Sequence, residues 1–412
     1  MRRRMSAGCK GELNLFFPEG KMKARINTFI NNILYTPKPI PAGNYQAMLK
    51  LDTGPTYRLH LRVDDKGTGL LIINASTILH LNATAVEYAY HLIKETPLET
   101  LTAEMLKRYR VSEDEAVKDF QEFKERLETL VSTPDLDPET FLDMERVDPH
   151  DQSLTAPMRL DCALTYQVVE GSNSVYAPND RVKRLLDTEE WKQILKNAWD
   201  AGIPHVVFTG GEPTLRPDIP ELVQFTQELG QVSGLITDGS RLTEKEYLHQ
   251  LLQAGLDHLM IVLNPFNDQS WEAIRDAIAE DIFLTVHLTL NSRNKDEFDK
   301  SLQKLAAMQV KSLSLSADSQ ELWKLLPQYT QKAVEAGFSL VWDLPVPYSA
   351  FNPIALEMEL GEVRTDGAGT SWLYIEPDGD VLAGQGKEAV LGNFLTDPWN
   401  RIWSEAKIAR HG

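Results

Sequence analysis

The run Phe208-Thr209-Gly210-Gly211-Glu212-Pro213-Thr214-Leu215 ends an apolar strand pattern and enters a helical one. In α/β proteins that junction, beyond the carboxyl end of a strand, is where ligands bind. Paired glycines let a ligand approach the main chain, and free amides at a helix start favour anionic groups. The thiol inventory limits the chemistry: the chain has two cysteines, Cys9 and Cys162, far apart and in no metal-ligand spacing. Cys162 lies within the apolar strand RLDCALT and reads as a buried structural thiol. No metal site and no catalytic residue is assigned, because the chain lacks a Ser/His/Asp order, a P-loop, a His-rich zinc spacing and a dinucleotide fingerprint. His205 and His258 stand at strand starts, the end of a parallel barrel that serves stability, and read as packing residues. His287 falls within a strand whose alternate residues face inward, which leaves an interior hydrogen-bonding role open.

These residues need elements to position them. From residue 158 on, strand patterns (RLDCALT, HVVFTG, VSGLIT, HLMIVL, IFLTVHLTL, KSLSLS, FSLVWDL) alternate with amphipathic helical ones. That order implies a parallel sheet with helices outside, either a barrel or an open doubly wound sheet, of about six βα units. The last fifty or so residues return to short strands around a Pro377-Asp378-Gly379-Asp380 turn. Ahead of the repeat, residues 55–132 read as three strands (TYRLHLRV, GLLIIN, TILHL) followed by three helices, like a winged-helix unit. Asn82 is placed to cap the first helix, and Ser112 with Glu115 forms a capping box on the third. Residues 133–157 are acidic and proline-bearing, a linker composition. Residues 1–54 form an extension in which Met22, Ile26, Phe29, Ile30, Ile33 and Leu34 fall at helical spacing, suited to docking on the body or to a membrane surface.

Hydrophobic content of 42% and charged content of 25% are those of an ordinary globular protein. A net charge of −18 argues against a nucleic-acid partner, since phosphate binding needs a basic surface. The basic cluster Arg2, Arg3, Arg4, Lys10, Lys21, Lys23 and Arg25 is confined to the start of the chain. There is no apolar run long enough for a transmembrane segment and no signal-peptide pattern, so the expected location is cytoplasmic.

Two segments turn this outline into a family resemblance. GGEP at 210–213 resembles the motif with which radical S-adenosylmethionine (SAM) enzymes contact the methionine amino group of SAM. The loop from Ala163-Leu164-Thr165 to Tyr176 resembles that family's cluster loop, where leucine-threonine precedes CxxxCxxC and a tyrosine. Aligned without a gap, it puts Val168, Ser172 and Val175 at the three cysteine positions. The C-terminal stretch resembles a SPASM or twitch extension, with Asp366 and Gly384 where auxiliary-cluster cysteines stand, and Tyr348-Ser349 at another such position. A [4Fe–4S] cluster that cleaves SAM needs three thiolates and one open iron, so the resemblance with its substitutions implies that no iron–sulfur cluster is bound. SAM binding is left open through Thr209, Gly210, Gly211, Glu212 and Asp238, the last meeting a ribose hydroxyl or simply shaping a turn.

The 55–132 unit resembles the PqqD family of peptide-recognition domains, which take up the leader of a precursor peptide as an added strand. That implies an edge formed by Tyr57 to Val63, with Tyr57, Leu59, Leu61 and Val63 as contact residues, or by Gly69 to Ile73. The expected architecture is therefore α/β: a partial (β/α)6 radical SAM-type barrel over 158–345, an N-terminal peptide-recognition domain, and a small C-terminal extension over 346–412. The expected function is that of a cluster-less pseudoenzyme that binds a precursor or leader peptide in ribosomal-peptide (RiPP) or PQQ-like maturation, alongside an active radical SAM paralogue. The alternative is a SAM- or nucleotide-binding enzyme running non-redox chemistry in the same barrel.

Overall fold

The computed structural model describes residues 40–50, 56–133, 136–142, 144–146, 154–168, 181–341, 345 and 367–409. The amphipathic stretch at 22–34, the basic start, Cys9, Ser172, Val175, Tyr348, Ser349 and Asp366 lie outside them. Among the described residues no helix is long and apolar enough to cross a membrane.

The N-terminal unit has one strand more than its sequence pattern implies. Gly43–Lys50 (β1) pairs antiparallel with Thr56–Val63 (β2), from Gly43 opposite Val63 to Lys50 opposite Thr56. Gly69–Ile73 (β3) and Thr77–Leu81 (β4) complete a four-stranded sheet in the order β1-β2-β3-β4. β1 thus comes from the segment expected to be a separate extension. The strand read as an open edge is paired on both sides, by β1 and β3.

Period-two alternation explains which residues go where. Leu59, Leu61, Leu71 and Leu79 are completely buried, and Tyr57 and Val63 nearly so, against the helices Ala83–Ile93 (α1), Leu98–Arg108 (α2) and Glu113–Ser132 (α3). The expected peptide contacts Tyr57, Leu59, Leu61 and Val63 are therefore core residues. Burying one leucine is worth about 2 kcal/mol, so this face holds the unit together and is closed to a ligand. Both caps form as expected: Asn82 accepts from the Ala85 amide, and Ser112 and Glu115 cap each other.

The opposite face of the sheet lies on the second body. There Arg62 donates to the carbonyls of Gly202, Ala156 and Pro157 at 2.8–2.9 Å. Arg58 pairs with Asp257 and Gln227, and Asn44 donates to the Asp200 carbonyl. His60 packs on Trp199 with ring centroids 5.3 Å apart. Gln46 donates to the Leu229 carbonyl, and since Leu229, Gly202 and Asp257 all precede strands of that body, the N-terminal sheet sits at the amino ends of its strands.

The second body carries the expected parallel run: Arg159–Thr165 (β5), His205–Gly210 (β6), Val232–Thr237 (β7), His258–Val262 (β8), Phe283–Leu290 (β9) and Ser312–Ala317 (β10). A two-residue strand, Ser339–Leu340 (β11), extends it. Each strand is paired in parallel with the next in sequence. The crossover helices Thr188–Asp200, Ile219–Leu229, Lys245–Gln253, Asp268–Ile278, Phe298–Ala307 and Gln320–Glu335 cover the outer face. The main core lies between them and the sheet, where Trp191, Phe208 and Phe298 are all but completely buried.

The C-terminal stretch continues this sheet rather than forming one of its own. Trp372–Ile375 (β12) pairs in parallel with β5, and Asp380–Leu382 (β13) and Val390–Asn393 (β14) follow as an antiparallel meander. The Pro377–Asp380 turn joins β12 to β13, with Gly379 at φ +89 as a left-handed turn requires.

Candidate functional site at the carboxyl ends of the barrel strands

Gly210 and Gly211 sit where β6 ends, but the group that approaches them is the chain itself. The Gly211 amide donates to the Thr165 carbonyl at 2.7 Å, and the Glu212 amide to the Gln167 carbonyl at 2.6 Å. A Cβ on Gly211 would lie 2.1 Å from the Gln167 oxygen; one on Gly210, at φ +128, would lie 2.1 Å from the Thr165 oxygen. The glycines thus seat the segment that leaves β5, and the Gly211 and Glu212 amides are committed rather than free for an anion. Gly211→Ala must push the Thr165–Gln167 main chain away, and should cost at least about 2 kcal/mol in denaturant unfolding.

Glu212 is buried and ties three elements together. Its Oε1 accepts from the Thr214 amide at 3.0 Å, from the Thr214 hydroxyl at 2.5 Å and from the Thr237 hydroxyl at 2.7 Å. Its Oε2 accepts from the Asp238 amide at 2.7 Å. Burial and the neighbouring Asp238 raise its carboxyl to about 7, against the four donors that favour the anion. Asp238 is half-buried at the rim and accepts from the Ser240 amide, shaping the turn after β7. Thr209 is buried, and its hydroxyl donates to the Pro345 carbonyl at 3.3 Å. Thr209, Gly210, Gly211, Glu212 and Asp238 are therefore gathered in one place, as their positions in the sequence suggested.

Of the positions aligned with cluster cysteines, Val168 and Gly384 fall within the described residues. Val168 follows Gln167 on the segment that leaves β5, whereas Gly384 lies beside Ala368 and Trp372 in the C-terminal meander. Cys162 points outward into the helix-covered core, and burial pushes its thiol well above its ordinary value. His205 and His258 meet at the amino ends of their strands, Nε2 to Nε2 2.7 Å apart. Inside the barrel, His287 is held by Ser314 at 3.0 Å and Ser316 at 2.8 Å, the interior hydrogen bonding left open for it.

One cluster escaped sequence reasoning. Glu376, at 1% exposure, accepts from the Tyr166 hydroxyl at 2.9 Å and from Arg181 at 2.6 Å. It locks the C-terminal meander to the loop that follows β5. Only its place beside the Pro377–Asp380 turn was visible, because its partners are some 200 residues away in sequence.

The radical SAM superfamily profile matches residues 162–305. The PqqA peptide cyclase of Streptomyces rochei is 26% identical over 283 residues, spanning 61% of this chain and 77% of that protein. The PqqA peptide cyclase of Rhizobium meliloti is 26% identical over 255 residues, spanning 55% and 67%. Among solved structures, Streptococcus suis SuiB bound to the precursor peptide SuiA aligns with a TM-score of 0.54 at 13% identity, over 81% of this chain and 84% of that one. SuiB bound to SAM aligns equally well, over 87% and 88%. At that identity the likeness shows a shared fold.

These matches correct the expectation that no iron–sulfur cluster is bound: radical SAM relatives bind a cluster together with SAM, and the match over 162–305 points to one. The described donors do not by themselves fit such a group. Among the described residues no three or more His, Cys, Asp or Glu side chains could hold a metal ion, and the cysteine described, Cys162, faces the core.

Proposed function

We propose that this protein takes up an extended precursor peptide on its N-terminal sheet and serves peptide modification in ribosomal-peptide or PQQ-like maturation, alongside a companion radical SAM protein. In this reading the N-terminal unit is PqqD-like and the β12–β14 meander is a SPASM- or twitch-like extension. SAM is assigned to the barrel mouth at Thr209, Gly210, Gly211, Glu212 and Asp238. Calorimetry with SAM should show uptake that Gly211→Ala abolishes.

The observation that carries the peptide reading is the edge at β4. A cavity of about 560 Å³ lies between β4 and α3, with His80, Leu81, Tyr88, Asp119, Phe123 and Arg126 among its lining residues. Main-chain groups on a strand edge provide affinity for an added strand, and pockets beside it select side chains. The edge suited to a peptide is thus β4, not the Tyr57–Val63 or Gly69–Ile73 strands first expected, since both of those are paired on each side.

The test is a fluorescence-anisotropy titration of the full-length protein with labelled peptides spanning the short reading frames beside its gene. One of them should bind in the micromolar range. His80→Pro, which removes an outward amide of β4 and none that pairs with β3, should weaken it at least tenfold. If no such peptide binds the wild-type protein, the reading fails.

A further inference from the structure

The edge assigned to the peptide already carries a piece of this chain. The His80 amide donates to the Glu145 carbonyl at 2.8 Å, and Leu79 forms an antiparallel bridge with Arg146. Residues 144–146 therefore lie on β4 as an incoming strand would. Met144 is 7% exposed and belongs to the core cluster that contains Phe123 and Leu127 of α3. Beside it the His80 ring meets the Glu145 carboxylate at 3.1 Å. Arg126 of α3 donates to the Leu142 carbonyl at 3.0 Å.

The segment is braced as a hook. Pro138–Leu142 forms a short helical turn; the Met144 amide returns to the Pro138 carbonyl at 3.1 Å, and the Arg146 amide to the Glu139 carboxylate at 3.0 Å. Its hold on β4 is nevertheless shallow. One bridge engages a five-residue strand, and Met144 and Glu145 themselves line the cavity that remains. A main-chain hydrogen bond, one buried methionine and one exposed His80–Glu145 hydrogen bond are each weak enough to exchange for equivalent contacts from another chain.

We propose that residues 136–142 and 144–146 are a built-in occupant of the peptide edge, a strand mimic in cis that an incoming peptide must displace. This rests on the peptide-binding reading above and names what the peptide must offer: an extended main chain to pair with Ile78 and His80, and an apolar side chain for the socket that Met144 fills. The hook then sets a threshold, since a peptide lacking the apolar anchor could not replace it.

Two experiments on the full-length chain test this. In the first, Met144, Glu145 and Arg146 are replaced by Gly-Ser-Gly, and a fluorescein-labelled peptide of residues 136–146 is titrated in. It should bind the replaced protein at least tenfold more tightly than wild type; equal binding to both, or to neither, overturns the proposal. In the second, His80→Cys/Glu145→Cys is oxidised to pin the hook. Peptides that bind wild type should lose at least tenfold in affinity and regain it on reduction, the reduced sample being the folding control. Undiminished precursor binding to the oxidised form would sink the hook and leave the peptide reading intact. Binding of the 136–146 peptide to the replaced protein, with no precursor binding anywhere, would do the reverse.

Discussion

Acidifying the protein from pH 6.5 to pH 4 should remove about 6 kcal/mol of stability through two buried imidazoles alone. His60, at 3% exposure, sits between the N-terminal sheet and Trp199, and burial together with Arg62 and Arg58 lowers it to about 3. His287, at 2% exposure inside the barrel, is lowered to about 3 by burial. Each has a folded pKa below the unfolded 6.5. Their contribution is therefore fully present above pH 6.5 and is lost as pH falls toward 3, at about 1.4 kcal/mol per unit for each ring.

Glu212 works in the opposite direction. Its folded pKa of about 7 lies above its ordinary 4.5, so its contribution is complete below pH 4.5 and is lost as pH rises through 7. Acidification to pH 4 thus returns about 2 kcal/mol. For these three groups the balance is a loss of about 4 kcal/mol, to which the buried His205 and His258, both also lowered by burial, add; that is a large share of a typical folding stability of 5–15 kcal/mol. Denaturant unfolding across pH 4–7 reads the sum. A His60→Gln/His287→Gln double variant, neutral at every pH, isolates the imidazole share and should lower the acid midpoint by a unit or more. A variant that unfolds at the same pH as wild type would show that neither ring is the acid trigger.

Much of this architecture was legible before any coordinates. Parallel strands announce themselves as short apolar runs between amphipathic helices, and the caps at Asn82 and Ser112 are local chemistry that context did not override. Strand β1 escaped because Pro37, Pro39 and Pro41 precede it and its alternation is masked: Tyr45, Ala47 and Leu49 pack on the domain core, while Asn44 and Gln46 face the barrel. Finding β1 also reverses the reading of β2, since a paired central strand cannot receive a peptide. Gly210 and Gly211 stand at the end of β6, where the strand pattern puts them. Glycine signals close approach without saying what approaches, and here the approaching group is the carbonyl of Thr165 or Gln167. Glu376, Tyr166 and Arg181 meet only through the fold, which no local pattern encodes.

If the proposed function holds, the docking of the two bodies separates peptide uptake from the SAM site. The N-terminal sheet is seated at the amino ends of the barrel strands, whereas Gly210, Glu212 and Asp238 lie at the carboxyl ends. A six-residue strand such as β6 spans about 20 Å. Under the proposed reading, a peptide held on the N-terminal sheet and presented to the barrel mouth would carry a spacer at least that long.

That arrangement depends on Arg62, and its removal should have the second large effect. The guanidinium is 6% exposed and meets the Met158 sulfur at 3.8 Å. Among the described residues its partners include no carboxylate: it donates to the carbonyls of Ala156, Pro157 and Gly202, which approach β5 and β6 from the linker side and the crossover side. A planar fork can satisfy all three at once, and no other side chain can. Arg62→Met keeps much of the volume and strands three buried acceptors, each costing about 1–3 kcal/mol. The expected loss is about 4 kcal/mol, seen in calorimetry as one cooperative transition splitting into two as the N-terminal unit melts apart from the barrel. Arg62→Lys should recover only part of this, because a single ammonium cannot reach carbonyls arranged around a guanidinium plane. Should Arg62→Met still unfold in one transition at the wild-type temperature, the two bodies would have to be joined by their apolar contacts, chiefly Ile72 and Ile78 against Leu154 and Met158, and the arginine would be a passenger.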